Sequence, residues 1–214
     1  SFGINGGLIN QTNIFCFNRA GFDKLKNNAG YSAYIKKQIS PSFGLKAQYM
    51  GGKVGGINEK AVAGDIQEFE AKLPWSAAIS GEFILANTNW RFINSIVKPY
   101  VAVGIGALNF ETTTTTSTAS VKSKSLTKLY VPVDLGFKFA VSKGINIDLG
   151  YQLNWANQHL DGIAGGQYKS DLFSYAHAGL EFALGAKQKP FLANSNGVAT
   201  LVNDYTAKYD ELKA

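Results

Sequence analysis

The sequence predicts an all-β chain: an eight-stranded antiparallel up-and-down transmembrane β-barrel with a short C-terminal helix. Eight segments alternate apolar and polar residues with a period of two, the repeat of a strand with one greasy and one wet face. The links between them are short or medium at one end and long at the other. The polar faces of six segments also carry a charge near the short-link end. Hydrophobic residues make up 45% of the 214 residues, yet mean hydropathy is near zero, so the apolar content is dispersed. Its longest run, VAVGIGAL at 101–108, is far short of the ~20 residues of a spanning helix. Abundant glycine and 13% aromatics suit tight turns and interfacial rings.

The segments, in order, are 1–10 (SFGINGGLIN), 30–39 (GYSAYIKKQI), 43–54 (FGLKAQYMGGKV), 68–86 (EFEAKLPWSAAISGEFILA), 98–111, 126–142, 145–156 and 172–185 (LFSYAHAGLEFALG). SPS at 40–42 and a turn around SKG at 142–144 are brief links, and NTNWRFINSIVK is of medium length. The other links, 11–29, 55–67, the threonine tract at 112–125, and 157–171, are long and polar. Long loops at one end and shorter turns at the other are the connectivity of a small outer-membrane-type barrel. The GxG of VGIGAL falls inside a strand pattern, where it relieves crowding in a narrow barrel.

INIDLGYQLNW, 145–155, states the choice of faces most clearly: Ile, Leu, Tyr and Trp alternate with Asn, Asp, Gly and Gln. Depth along the strands favours an outward apolar face. Trp75 lies ten residues from Leu85, and Trp155 ten from Ile145. Ten residues at ~3.3 Å rise and ~40° tilt climb roughly 25 Å, the height of an outer-membrane apolar band. Tyr31 falls level with Trp75 and Trp155, and Phe43, Phe83, Phe139 and Phe182 form the opposite tier. Two aromatic tiers one bilayer apart are expected of lipid-interface rings.

On the polar parity, Lys36, Lys46, Glu82, Lys138, Asp148 and Glu181 stand about three residues from the short-link ends. They are expected to form a ring of ion pairs inside the lumen, because interlocked charges satisfy one another where single buried charges do not. Asp134, His177, Lys72, Ser76, Gln48 and Gln152 are expected to extend this polar lining upward. Asp148 is the sharpest case, expected to point inward and meet lysines of other strands.

After the last segment, KQKP at 187–190 stops strand propagation, since proline cannot donate to a ladder. Leu201, Val202, Tyr205, Tyr209 and Leu212 then recur at helical spacing, with Thr200 or Asn196 as a cap. The expected domains are a barrel over 1–186 and a linker with amphipathic helix over 187–214.

SFGINGGLIN, YVAVGIGALNF, VPVDLGFKFAVSKGINIDLGYQLNW and the closing YAHAGLEFALG together resemble the N-terminal barrel of an OmpA-like outer-membrane protein. The likeness covers residues 1 to about 186 and is one of pattern. Leu180, Phe182 and Leu184 resemble an outer-membrane assembly signal. The resemblance implies the outer membrane of a Gram-negative bacterium, both termini periplasmic, and a peptidoglycan-binding domain beyond residue 214. It implies outer-membrane lipids including lipopolysaccharide, peptidoglycan through that further domain, and other outer-membrane proteins as partners.

No cofactor or catalytic role is expected, because no GxSxG, HExxH, P-loop or paired-cysteine motif occurs. Cys16, the single cysteine, reads as an isolated loop thiol, and His177 as a lumen residue beside Glu181. Net charge is +6, but the basic residues are scattered, and no nucleic-acid partner is expected. Arg19, Lys24, Lys26, Lys53, Lys60, Lys122, Lys124, Lys128 and Lys169, in the loops, are solvated charges or partners of lipid phosphates. Phe15, Phe17 and Tyr168 read as local loop packing or a docking surface. Two rival readings stand beside the structural barrel. One is a lipid-modifying barrel enzyme using His159 with Ser170 or Ser174; the other is a soluble lipocalin-like carrier, which would have an apolar cup and a polar exterior.

Overall fold

The computed structural model of the chain describes residues 1–11, 24–58, 66–88, 96–142, 144–156, 171–184 and 197–213. Eight long strands form the wall: β1 (Phe2–Asn10), β3 (Asn28–Gln38), β4 (Phe43–Ile57), β5 (Ile66–Ile84), β6 (Val97–Thr116), β8 (Leu126–Ser142), β9 (Ile145–Ala156) and β10 (Asp171–Phe182). Two short strands, β2 (Lys24–Leu25) and β7 (Ser120–Lys122), pair with β4 and β6 above the wall. Each long strand is antiparallel to its sequence neighbour, and β1 pairs with both β3 and β10, which closes the ring. All eight expected segments are strands, and the alternating link lengths are those of this up-and-down order.

The stagger of the closed sheet can be read from its registers. From Gly106, registered partners run through Ala78, Gln48, Tyr34 and Gly3 to Glu181. In the other direction they run through Tyr130 and Ala156 to Asp171, ten residues from Glu181 on the same strand. A closed barrel requires such shear together with strand tilt. Residues counted equally far from their strand ends therefore differ in height around the ring.

The exterior is apolar. Ile35 and Ile79 are 64% exposed, Leu129 73% and Ile105 74%, with Ile4, Leu8, Leu45, Val103, Leu135, Phe137, Leu149 and Leu180 also outside. No described helix is long and apolar enough to cross a membrane; the apolar surface belongs to the strands. A soluble lipocalin-like carrier would place polar groups there, so the outward apolar belt removes that reading.

Three expectations change. The tract at 112–125 is not all loop, since β6 continues to Thr116 and turns into β7. The links at 11–29 and 55–67 likewise give up residues to β2, β3, β4 and β5. Lys72 does not line the lumen: it is exposed on the outer face. The pairings of β5 with β4 and with β6 both shift between Lys72 and Ser76, so β5 carries an extra residue at Leu73–Trp75. Pro74 sits there, unable to donate to a ladder. Below the bulge even-numbered residues face inward; above it Phe69, Ala71 and Leu73 do, and Lys72 turns out.

The helix α1 (Gly197–Lys213) follows, with Leu201, Val202, Tyr205, Tyr209 and Leu212 exposed. Thr200 lies within its first turn rather than before it, and Asn196 lies outside the described residues.

Candidate functional site: the filled lumen

Inside the wall, four lysines (Lys36, Lys46, Lys98 and Lys138) face four carboxylates (Glu82, Asp134, Asp148 and Glu181), all buried. Among the described residues the buried lysines and carboxylates of the lumen are thus equal in number. The strand pleat directs each of them inward, because each alternates with lipid-facing neighbours such as Ile35, Leu45, Phe83, Leu135, Phe137, Ile147 and Leu180.

The charges form two layers rather than the single ring expected from counting. In the lower layer, Lys36 Nζ lies 2.8 Å from Glu82 Oε1 and 2.7 Å from Glu181 Oε1. Lys138 Nζ lies 2.8 Å from Glu181 Oε2, 3.4 Å from Glu82 Oε2 and 3.6 Å from Asp148 Oδ2. In the upper layer, Lys46 Nζ pairs with Asp134 Oδ2 at 2.8 Å. His177 Nε2 lies 3.2 Å from Asp134 Oδ1, and His177 Nδ1 3.1 Å from Asn5 Nδ2. Lys36 and Lys46 are directly opposed across β3 and β4. Their like charges are reconciled because one reaches the lower acids and the other the upper one.

Two buried tyrosines join the layers. Tyr34 donates its hydroxyl to Asp148 Oδ2 at 3.0 Å and accepts from Lys138 Nζ at 3.3 Å. The Tyr100 hydroxyl lies 3.4 Å from Asp134 Oδ2. Lys138 Nζ stands 5.2 Å from the Tyr34 ring centre and 5.0 Å from that of Tyr100, with Lys46 Nζ at 5.5 and 5.8 Å. Each cation thus lies between two ring faces, a favourable arrangement in a desolvated site. Gln48 donates to Gln152 at 3.1 Å, and Gln152 to Asn154 at 2.7 Å, above these layers.

Higher still the lining becomes apolar. Ile9, Met50, Val54, Phe69, Leu73, Leu108, Phe110 and Phe173 form one buried cluster with Tyr130 and Tyr175. Above Ser76, Gln48 and Gln152 the lining is mainly apolar, with Asn154, Ser174 and Thr112 as buried polar groups among it, and the cluster forms a hydrocarbon plug toward the loop-bearing end. The barrel is also too narrow for added atoms. A Cβ on Gly104 would fall 2.2 Å from Ser80 Oγ, and one on Gly106 2.7 Å from the Tyr130 ring.

Sequence reasoning placed Lys36, Lys46, Glu82, Asp134, Lys138, Asp148, His177 and Glu181 on the inner face, and the structure brings these eight into contact. It missed Tyr34, Tyr100 and Lys98. Parity held the signal: Tyr34 is two residues from Lys36, and Lys98, Tyr100 and Ala102 alternate on the inner face of β6.

Of the aromatics expected at the lipid interfaces, Tyr31, Trp75, Phe83 and Trp155 are exposed on the outer wall. Phe43, Phe139 and Phe182 are half-buried there, Phe43 against Phe83 with ring centres 4.7 Å apart. Ser174 is buried in the wall. Cys16, His159, Ser170, Phe15, Phe17, Tyr168, Arg19, Lys60, Lys169 and the KQKP stretch lie outside the described residues. No group of three potential metal ligands occurs among the described residues.

A closed ring of eight antiparallel strands, greasy outside and filled by paired charges inside, is the fold of an OmpA-like eight-stranded outer-membrane barrel. Among solved structures, the chain is similar to Neisserial surface protein A, with a TM-score of 0.52 and 14% identity over 86% of this chain and 96% of that one. It is also similar to Ail of Yersinia pestis (TM-score 0.44, 15% identity, 85% and 93% covered). A third is the N-terminal barrel domain of Pseudomonas aeruginosa OprF (TM-score 0.42, 11% identity, 85% and 95% covered). No protein-family profile matches the chain, and neither does any curated protein.

Proposed function

We propose that the chain is a structural, non-conducting barrel of the outer membrane that anchors what is attached to it. The observation that carries this reading is the filled lumen. Paired charges and a hydrocarbon plug leave the barrel's interior to hold the wall together, so its function lies on its surfaces and termini. The anchored element is a periplasmic segment beyond the barrel, tied to peptidoglycan through a domain past residue 214, or a neighbouring outer-membrane protein for which the barrel is a lateral subunit. Both termini then lie in the periplasm, and the long loops meet the lipopolysaccharide leaflet. Catalysis, cofactors and nucleic acid have no part in this function.

The exposed apolar belt supports the membrane location, since surface of that extent is favourable only in lipid or an interface. The native gene product, expressed in a Gram-negative host, is expected in the outer-membrane fraction as a band whose gel mobility changes on boiling. It should also co-sediment with peptidoglycan or with a stoichiometric outer-membrane partner. Recovery as a free soluble protein would overturn the membrane reading; a membrane band with neither association would overturn the anchoring role.

A further inference from the structure

We propose that the outer face of β4 and β5 at the loop-bearing end holds one phosphorylated lipid of the outer leaflet. Its phosphate sits between Lys53 and Lys72, and an acyl chain lies in the groove beneath. This rests on the reading of the chain as an outer-membrane barrel.

Lys53 and Lys72 are direct cross-strand partners, both exposed on the outer face. Like charges so placed repel, an arrangement that costs stability unless something negative lies between them. The surrounding carboxylates are already engaged. Glu70 takes Lys53 at 2.9 Å and Lys26 at 3.3 Å, Glu68 takes Lys26, and Glu111, registered beside Lys72, takes Lys122 at 2.8 Å. Four lysines thus meet three carboxylates, and Lys72 makes no ion pair within the described residues. The bulge at Pro74 creates this pair, because without the extra residue Lys72 would keep the inward parity of Ser76. Bulges commonly re-aim side chains in this way.

The pair stands immediately above aromatics of the lipid face. Trp75 is exposed just below Lys72; the Tyr49 hydroxyl donates to the Pro74 carbonyl at 3.1 Å, and Tyr31 lies 6.5 Å from Tyr49 between ring centres. An aromatic belt marks the headgroup level, so cations one step above it stand where lipid phosphates lie. At and below the belt an apolar depression of about 1040 Å³ runs around the wall from β1 to β9, and its β4–β5 part, lined by Ala47, Tyr49, Ala77 and Ile79, lies beneath the lysine pair. Positive charge over a hydrocarbon groove is complementary to a phosphorylated headgroup over acyl chains. A soluble anion would use the lysines alone.

Native mass spectrometry of the purified full chain, incubated with bis-phosphorylated lipid A, its dephosphorylated form or phosphatidylcholine, tests this. Wild type is expected to retain one phosphorylated lipid A. The Lys53→Ala/Lys72→Ala variant should bind it about thirtyfold more weakly, and Glu70→Gln should bind it more tightly. Ala47→Phe/Ala77→Phe, which fills the groove, should also weaken retention while leaving heat-modifiable gel mobility unchanged. Equal retention by the lysine variant, equal retention of dephosphorylated lipid, or competition by inorganic phosphate with no effect of filling the groove would overturn the proposal. Loss of heat-modifiable mobility in the wild type would instead strike the membrane-barrel reading beneath it.

Discussion

Replacing Lys138 with methionine removes the cation that three carboxylates share. Its Nζ lies 2.8, 3.4 and 3.6 Å from Glu181, Glu82 and Asp148, and its side chain is 1% exposed. In the variant Lys36 still serves Glu82 and Glu181, but among the described residues Asp148 is left with its bond from Tyr34. The balance of four lysines against four carboxylates is broken, and one negative charge is uncompensated in a desolvated lumen. Breaking a buried pair in this way costs about 3–5 kcal/mol, because the remaining charge retains its desolvation penalty. That is roughly two to four powers of ten in the folding equilibrium. Urea titration of the barrel in phospholipid vesicles, followed by tryptophan fluorescence and by heat-modifiable mobility, measures it. Lys138→Met/Glu181→Gln restores the balance, so the double variant should lose about 1–3 kcal/mol less than the sum of the singles. A loss under ~1 kcal/mol for Lys138→Met, or additivity in the double variant, would refute the reasoning that these charges act as one network.

The other predictions address the lumen walls, the bulge and the external rim. Lys72→Ala, outside the network, should change stability by less than about 0.5 kcal/mol in the same titration. Gly150→Ala would put a Cβ 2.5 Å from His177 Cε1 and 2.6 Å from the Tyr100 hydroxyl; overpacking of this kind costs about 1–3 kcal/mol, read as a lower urea midpoint. At the rim, the hydrogen bond from Lys53 holds the Glu70 carboxyl below its usual range, against the opposing effect of burial and with help from Lys26. A carboxyl lowered on folding stabilises above its unfolded value and loses that contribution as pH falls through the folded one. Amide protection near Gly55 and Glu70 should therefore drop in acid in wild type and change less in Glu70→Gln. The hydrogen bond to Glu68 raises the Lys26 ammonium, despite burial, so its share should persist into alkaline solution and fade only as pH passes its raised value. His159→Ala and Ser174→Ala should leave the acyl pattern of lipid A and phospholipids unchanged by mass spectrometry. A wild-type activity lost in either variant would favour the lipid-modifying enzyme.

The fold was legible because a strand's period of two survives in a barrel wall with different solvents on its faces. INIDLGYQLNW shows this directly: Asn146, Asp148, Gln152 and Asn154 are buried, and Ile145, Ile147, Leu149 and Trp155 are outside. Height was less legible. Counting from strand ends ignores a stagger of ten residues around the ring, so Lys46 was placed in one layer with Lys36, Glu82, Lys138, Asp148 and Glu181 although it reaches the higher Asp134. Parity failed where β5 gains a residue, and Pro74 was the visible sign of that gain. The plug was hidden for two reasons: Phe69 and Leu73 share the odd numbering of outward Trp75, whereas Phe110 and Phe173 lie on the inward parity of Tyr100 and His177 but carry no polar group to mark it. Tyr34 and Tyr100 were passed over because aromatics read as interface residues, although their parity matched the lysines they hold.

Single-channel recording in planar bilayers tests the central claim most directly. A lumen closed by the Lys36–Glu82–Lys138–Glu181 layer and capped by the hydrocarbon plug should give no steady conductance above the bare membrane at neutral pH. The Lys138→Met variant, with the plug intact, should remain equally silent. Stable, large conductance steps from the folded wild-type barrel would contradict the account.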